Sequence, residues 1–203
     1  MKNSIKEALT GCKAHALSIF CVYMISCAVG ILMAHCGNQF ALAQRDRIVG
    51  AAMESDEAAT SYQKGNKLSA IVYDFGGNLF LAAIPQTLLG LGIVPPYFTA
   101  ACQGWVGGIV SVDGSHRTRF VDAKSTAYYF IVLLLHTAGF SLCIGAGIKC
   151  GIDTYEQNTE VGWKLWKFRI RKENLRAVGL VCLVSLPLFL AGSSFEFLST
   201  WNR

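Results

Sequence analysis

Five polar side chains interrupt stretches of this sequence that otherwise consist of apolar residues, and they are the first candidates for chemistry. They are Asp74, Asn78, Gln86, Gln103 and His136. A polar group at membrane depth is costly unless it is paired, so such residues commonly mark binding or transport sites. Asp74 stands where an apolar run begins, which leaves an interfacial and a functional role open. Glu196 lies near the end of another run, and we expect it to be interfacial.

His136 is the most deeply placed ionisable group of the five. A single histidine in an apolar run is either a neutral, hydrogen-bonded packing residue or part of a proton relay, and we expect packing. Gln86 and Gln103 flank the dipeptide Pro95-Pro96. They are positioned to bond across a turn at these prolines or to cap carbonyl groups near Pro85.

Recognisable catalytic and metal-binding motifs are lacking in the sequence. It contains no G-x-x-x-x-G-K-[ST], G-x-S-x-G, H-E-x-x-H or C-x-x-C motif. The eight cysteines fit no zinc spacing. We therefore predict no enzyme, no catalytic residue, no metal and no cofactor.

The distribution of charge identifies the element that must carry these side chains. Of the 203 residues, 53% are hydrophobic and only 15% are charged, where a globular domain carries about 25% charge. The ranges 14–44, 75–112, 125–148 and 177–195 contain no Asp, Glu, Lys or Arg. This pattern excludes an ordinary soluble enzyme, a disordered chain and a nucleic-acid-binding arm. It predicts one integral membrane domain over residues 1–203.

The apolar runs predict an all-α polytopic bundle of about five transmembrane helices. A bilayer core needs about 20 apolar residues of helix, and backbone groups in hydrocarbon must be paired internally. The predicted spans are 16–36, 76–93, 97–112, 127–148 and 177–198. Prolines 95 and 96 divide the longest run, because proline cannot continue a helix. The two short segments around this turn are either full spans or the arms of a re-entrant hairpin.

Positive charge orients the bundle. Three lysines precede the first span and seven Lys or Arg lie in 149–176, so both regions are predicted to be cytoplasmic. The loop 37–67 is then external and the protein lies in the inner, or cytoplasmic, membrane. Residues 41–43 resemble a signal-peptidase site, but the preceding apolar run is longer than a signal core, which favours a retained anchor.

Small residues recur every fourth position in three of the predicted spans and indicate faces on which helices pack closely. The residues that we assign to these faces are Gly30, Ala100, Gly104, Gly108, Gly139, Cys143 and Gly147. They predict a compact bundle, an oligomer or both.

Aromatic and basic residues alternate in the predicted cytoplasmic segment 149–176. The candidates for contact with lipid headgroups are Trp163, Lys164, Trp166, Lys167, Arg169 and Arg171. This mixture is typical of an anchor on anionic lipid, and a plain topological stop signal explains it equally well. Nucleic acid is not an expected partner beside a membrane span.

Short glycine-rich motifs in the range 68–151 resemble those of the stage II sporulation protein M family. They are Asn78-Leu79-Phe80, Leu89-Gly90-Leu91-Gly92-Ile93, Gln103-Gly104 with Gly107-Gly108, and Leu135-His136 with Gly145-Ala146-Gly147. The chain departs from the family at Gln103, where Asn is favoured, and at Thr137, where Gly is usual. Phe140 and Ser141 occupy the stretch in which an acidic residue is expected after the histidine.

The resemblance implies a bacterial or archaeal multi-pass membrane protein that holds partners, such as cell-wall-degrading proteins, at a membrane. We therefore expect a non-enzymatic scaffold or accessory subunit that contacts lipids, other membrane subunits or copies of itself. The alternative is a subunit of a small-solute or ion transporter or channel with its site at the Pro95-Pro96 turn, since transporter sites use interrupted helices.

Overall fold

The computed structural model describes residues 2–159 and 169–198 of the chain. The helices are α1 (Lys2–His35), α2 (Gln39–Ser55), α3 (Glu57–Gln63), α4 (Lys67–Gly76), α5 (Ile84–Leu89), α6 (Pro95–Ile109), α7 (Ala123–Thr159) and α8 (Lys172–Leu198). A π-helical segment, Gly77–Ala83, joins α4 to α5, and a 3-10 turn, Gly90–Gly92, follows α5. The predicted all-α fold is confirmed, and the described residues contain no strand.

Four segments of the described chain are long and apolar enough to cross a membrane. They are Ser4–His35, Lys67–Gly92, Ala123–Gln157 and Lys172–Leu198. α6 has 15 residues and would be about 22 Å long at 1.5 Å per residue, which is less than the ~30 Å hydrocarbon core. The second long segment begins at Lys67, so Asp74 lies inside a helix rather than at its start.

α7 is the central helix of the bundle and packs against α1, α5 and α8. Its interface with α1 and α8 contains the main apolar core, in which Ile19, Phe140, Ile144 and Phe189 are almost completely buried. Ala16 and Gly145 pack at one level, so that a Cβ atom at Gly145 would lie 2.5 Å from the Ala16 backbone nitrogen. The small residues of α7 therefore allow helix backbones to approach more closely than a side chain would permit.

α6 runs alongside α1 and packs against it closely. Cβ atoms built at Gly104 and Gly108 would lie 2.2 Å from the carbonyl oxygens of Tyr23 and Cys27, respectively. Ser26 Oγ also donates a hydrogen bond to the Ala101 carbonyl oxygen over 2.6 Å. Contacts of this kind are how helices associate where lipid removes the hydrophobic driving force.

Proline explains both irregular stretches between α4 and α6. Pro85 has no N–H to donate to the carbonyl of the preceding turn, and the Ile84 N–H reaches back five residues to Leu79. After Gly92 the chain turns through Ile93, which has a positive φ of 64°. Pro95 and Pro96 then begin α6, where the missing N–H costs no intrahelical hydrogen bond.

Residues 37–67, predicted as a loop, contain α2 and α3. Asn38 caps α2 by accepting a hydrogen bond from the Ala41 N–H over 3.0 Å, and Asp56 caps α3 through the Ala58 N–H over 2.7 Å. Side-chain oxygens at these positions satisfy amides that a helix start leaves unpaired. These two helices lie at the same end of the bundle as the 110–122 connection, which α2 contacts through Arg45.

Candidate functional site

Three ionisable side chains from three different helices meet inside the bundle. Asp74 comes from α4, His136 from α7 and Glu196 from α8, and one ligand-type atom from each lies within 4.8 Å of the other two. All three belong to segments that could span a membrane. An ionisable group at such a position is expensive and is a functional candidate by default.

Asp74 is held in place by two hydrogen-bond donors. Asn78 Nδ2 donates to Asp74 Oδ2 over 3.0 Å, and Ser193 Oγ donates to the same oxygen over 2.6 Å. Asn78 lies one helical turn further along the same segment of chain, whereas Ser193 belongs to α8. The carboxylate is therefore oriented from two sides before any ligand is considered.

The His136 imidazole lies between the two carboxylates without bonding to either. Its Nε2 atom is 3.9 Å from Asp74 Oδ2 and its Nδ1 atom is 4.0 Å from Glu196 Oε2. Both separations exceed the 2.7–3.2 Å of an N–H···O hydrogen bond. Nε2 is buried and has no hydrogen-bond partner among the described residues, which is an unusual state for a buried nitrogen.

Gly192 makes room for the imidazole. A Cβ atom at this position would lie 2.5 Å from both Cδ2 and Nε2 of His136. On the same helix Phe189, which is completely buried, lies with its ring centroid 6.4 Å from that of the imidazole. The ring is thus confined by one helix turn of α8.

The side chains of the cluster are mostly buried but keep partial exposure. The side chains of Asp74 and Glu196 are 20% and 28% exposed, and that of His136 is 13% exposed. On the side of the cluster toward the C-terminus of α7, Phe140 and Ile144 of that helix and Phe189 of α8 fill the bundle. Toward the end that carries α2 and α3, a second buried apolar cluster contains Ala58, Ala70, Ile71 and Phe197, so apolar side chains lie on both sides of the three ionisable groups along the bundle.

The charges of the cluster do not balance among its own members. Two carboxylates face one imidazole, which can contribute at most one positive charge. Arg119, from the 110–122 connection, attracts Glu196 and offsets part of the negative charge. Asp56 adds negative charge from the start of α3. Because buried charge is costly unless it is compensated, the arrangement favours a cation or a proton.

The five predicted polar candidates separate into two groups. Asp74, Asn78 and His136 come together, but Gln86 and Gln103 do not join them. Gln86 is buried, and the Oε1 atoms of Gln86 and Gln103 have no hydrogen-bond partner within the described chain. The expected bond across the Pro95-Pro96 turn is therefore not seen for these oxygens.

Two residues of the cluster were not recognised as site residues from the sequence. Glu196 was expected at the interface, and Ser193 was not considered. The available signal was the spacing Gly192-Ser193-x-x-Glu196 at the end of a charge-free run, because residues three apart share a helix face. Nothing in the sequence alone says which helix that face meets.

The predicted packing residues all lie in the interior of the bundle. Gly30, Ala100, Gly104, Gly108, Gly139, Cys143 and Gly147 are buried. Gly147 faces the Thr87 carbonyl oxygen, which a Cβ atom would approach to 2.1 Å. Gly139 faces the ring of Phe189. These positions are thus occupied by contacts within one chain.

The predicted headgroup residues are only partly within the described chain. Trp163, Lys164, Trp166 and Lys167 lie outside the described residues. Arg169 and Arg171 are both exposed just before α8, as a headgroup contact would require.

A second histidine–carboxylate contact joins α2 to the 110–122 connection, at the α2 and α3 end of the bundle. His116 Nε2 is 2.8 Å from Asp46 Oδ2, and Arg45 Nη1 donates to Asp46 Oδ1 over 3.0 Å. The hydrogen bond with His116, followed by the one with Arg45, lowers the pKa of the Asp46 carboxyl. Both ring and carboxylate are exposed to a large degree, so this contact serves as a reference for the inner cluster.

Comparison of the chain with protein families, with curated proteins and with solved structures found no match. The resemblance to the stage II sporulation protein M family therefore stays a prediction.

Proposed function

We propose that this chain forms a membrane transporter or channel for an inorganic cation, with its binding site at Asp74, His136 and Glu196. The observation that carries the proposal is the convergence of three ionisable side chains from three candidate spans. The two carboxyl groups and the imidazole offer ligand atoms to a positively charged ion, and the partial exposure of Asp74 and Glu196 supports exchange of that ion.

This site is not the Pro95-Pro96 turn, where the sequence analysis placed the site of the transporter alternative. Gly90 and Leu91, beside the Pro95-Pro96 turn, pack on Gly147 and Gly151 of α7. Gly147 lies eleven residues beyond His136, or about 16 Å along a helix at 1.5 Å per residue. The transport proposal therefore no longer depends on the proline turn as a binding site.

Contacts between the helix ends support five crossings of the membrane. Gly90 packs at the level of Gly147, and the Tyr97 hydroxyl lies 2.9 Å from Ser18 Oγ. The proline turn thus reaches the level where the predicted first and fourth spans end on the cytoplasmic side. A re-entrant hairpin would stop near the middle of the bundle. With the N-terminus in the cytoplasm, as the distribution of Lys and Arg predicts, the Asp74 cluster lies toward the outside of an inner, bacterial-type membrane.

Flux through reconstituted vesicles tests the proposal. The full chain is placed in liposomes that contain a cation-sensitive dye, and uptake of monovalent and divalent cations is followed. We expect uptake above that of empty vesicles, with a loss of at least tenfold in Asp74→Asn. The matched control is Asp46→Asn, which changes the carboxylate of the outer contact and should retain uptake. Equal uptake with and without protein would overturn the proposal.

A membrane scaffold or accessory subunit remains the second candidate, as the resemblance implies. A groove of about 440 Å³ between α1 and α7 supports it, because apolar side chains such as Leu9, Leu17, Phe20 and Leu142 line it. The groove has the chemistry to accept an apolar helix of another subunit, whereas the glycine faces are already used within the chain. Cross-linking from cysteine placed at Leu17, followed by extraction in mild detergent, tests it; a chain recovered without partner or self-association would count against this role.

A further inference from the structure

We infer that Asp74, His136 and Glu196 form a binding site for a divalent transition-metal ion, with one imidazole nitrogen and two carboxylate oxygens as ligands. The inference deepens the proposed function, on which it rests for its biological role, by naming the class of cation. It also stands as a binding claim that can be tested without transport.

The spacing of the three side chains fits a shared ion better than direct contacts. Zinc–nitrogen and zinc–oxygen bonds are about 2.0–2.2 Å long, so two ligands of a tetrahedral ion lie about 3.4 Å apart. One ligand-type atom from each of the three side chains lies within 4.8 Å of the other two, so small side-chain adjustments would bring the ligands to that spacing. A pair selected only for a salt bridge would close to hydrogen-bond distance.

The unpartnered nitrogen provides the second argument. His136 Nε2 is buried and lacks a hydrogen-bond partner within the described chain, and its neighbour Asp74 Oδ2, 3.9 Å away, already accepts from Asn78 and Ser193. A buried nitrogen without a partner costs free energy. A metal ion would use the lone pair of a neutral imidazole and remove that cost.

The surroundings of Asp74 resemble the outer layer of a metal site. Carboxylates that bind metals are usually oriented by further hydrogen bonds, and Asn78 and Ser193 supply two such bonds to Oδ2, which leaves Oδ1 as the oxygen for the ion. Gly192 on α8 leaves the space that the imidazole occupies. The ligands therefore have supports on two helices before metal enters.

The donor set selects the class of ion. An imidazole nitrogen favours zinc, iron or another transition metal over Mg²⁺ and Ca²⁺, which prefer oxygen ligands alone. Three protein ligands leave a coordination position for water, which is typical of exchangeable or catalytic rather than closed structural sites. An exchangeable ion agrees with the partial exposure of Asp74 and Glu196 at the outer end.

Metal binding by the purified full chain tests the inference. The protein is stripped of metal in detergent, equilibrated with Zn²⁺ against a chromogenic chelator, and the bound metal is measured per chain. We expect about one Zn²⁺ per chain, with at least a tenfold weaker affinity in Asp74→Asn, His136→Gln and Glu196→Gln. Mg²⁺ and Ca²⁺ in excess should not compete.

The matched control uses the outer histidine–carboxylate contact. The double variant Asp46→Asn with His116→Gln removes the same residue types from an exposed position, and it should bind Zn²⁺ as the unaltered chain does. The absence of stoichiometric binding, or binding that the three inner substitutions leave unchanged, would overturn the inference.

Cobalt spectroscopy of the unaltered chain removes dependence on variants that fail to fold. The chain has eight free cysteines, which offer thiolate sites for Zn²⁺. Co²⁺ bound at the proposed site would show ligand-field bands without a sulfur charge-transfer band. A strong sulfur band would overturn the inference.

Zinc binding without cation flux would reject the transport proposal alone, whereas flux that depends on Asp74 without zinc binding would reject the metal site alone.

Discussion

The two histidine–carboxylate contacts of this chain use the same chemical groups but differ in the distance between the ring nitrogen and the carboxylate oxygen. At the outer end, His116 and Asp46 lie 2.8 Å apart, and Arg45 adds a second hydrogen bond to the carboxylate. In the interior, His136 lies 3.9 and 4.0 Å from Asp74 and Glu196. The outer side chains are joined by hydrogen bonds, whereas the inner imidazole is too far from either carboxylate for a hydrogen bond.

Solvent accounts for this difference. The His116 and Asp46 side chains are 40% and 47% exposed, so water compensates whatever their contact leaves unsatisfied, and an exposed pair contributes little to stability. The inner side chains have far less access to water. Buried polar and charged groups depend on protein or ligand partners in place of water, which is why the inner cluster rather than the outer contact is the candidate site.

The strongest test of this contrast displaces the inner imidazole. We expect Gly192→Ala to lower the free energy of unfolding by about 3 kcal/mol, because the added methyl group would overlap His136 and overpacked interiors are strained. Gly179→Ala is the matched control on the same helix, since a Cβ atom there would have nothing within 4 Å of it. It should be neutral or stabilise α8 by up to about 1 kcal/mol, as alanine is the better helix former.

Thermal or denaturant unfolding in one detergent measures both glycine variants. If Gly192→Ala is as stable as Gly179→Ala, the imidazole is not confined as described, and its separation from the two carboxylates would have to be regarded as adaptable.

The next effect concerns the support of Asp74 by α8. We expect Ser193→Ala to destabilise the chain by about 2 kcal/mol, because hydrogen bonds to charged groups contribute about 1.5–3 kcal/mol. The adjacent Ser194 bonds only to the Leu190 carbonyl oxygen of its own helix. Ser194→Ala should change stability by less than about 0.5 kcal/mol, as is usual for surface positions.

The same unfolding measurement separates the two serines. Equal effects of the two substitutions would mean that the contact between Ser193 and Asp74 does not hold α8 against α4, and the inner cluster would lose its most direct support.

The sequence was sufficient for the class of fold and for the small residues at which helices pack. The charge-free runs predicted where the apolar helices lie. The recurrence of small residues at every fourth position placed Gly104 and Gly108 on one face of α6. The structure adds that this face meets Tyr23 and Cys27. It also shows helices in 37–67, where a loop was expected because that range is polar and lies between apolar runs.

The candidate site was only half predictable. Asp74, Asn78 and His136 were recognised because each is polar within an apolar run, but each was considered alone. The absence of a metal motif was judged from spacing along the chain, whereas Asp74 and Glu196 are brought together by packing of α4 on α8. Glu196 ends an apolar run, and composition cannot distinguish an interfacial acid from one that points back into the bundle.

The smallest effect is expected at the outer contact, and it depends on pH. Hydrogen bonds from His116 and Arg45 lower the pKa of Asp46 below its ordinary value of 3.8, so the folded chain favours the ionised carboxylate. The stabilisation is complete above the ordinary pKa and is lost as pH falls through the lower pKa of the folded state. Asp46→Asn should therefore unfold at a slightly lower temperature near neutral pH, and the difference from the unaltered chain should vanish in strong acid.

Raising the salt concentration should also reduce the difference at neutral pH, because exposed charges are screened. A difference that persists in both acid and high salt would show that Asp46 acts by packing rather than by charge. The outer contact could then no longer serve as the solvent-exposed ion pair with which the inner cluster is compared.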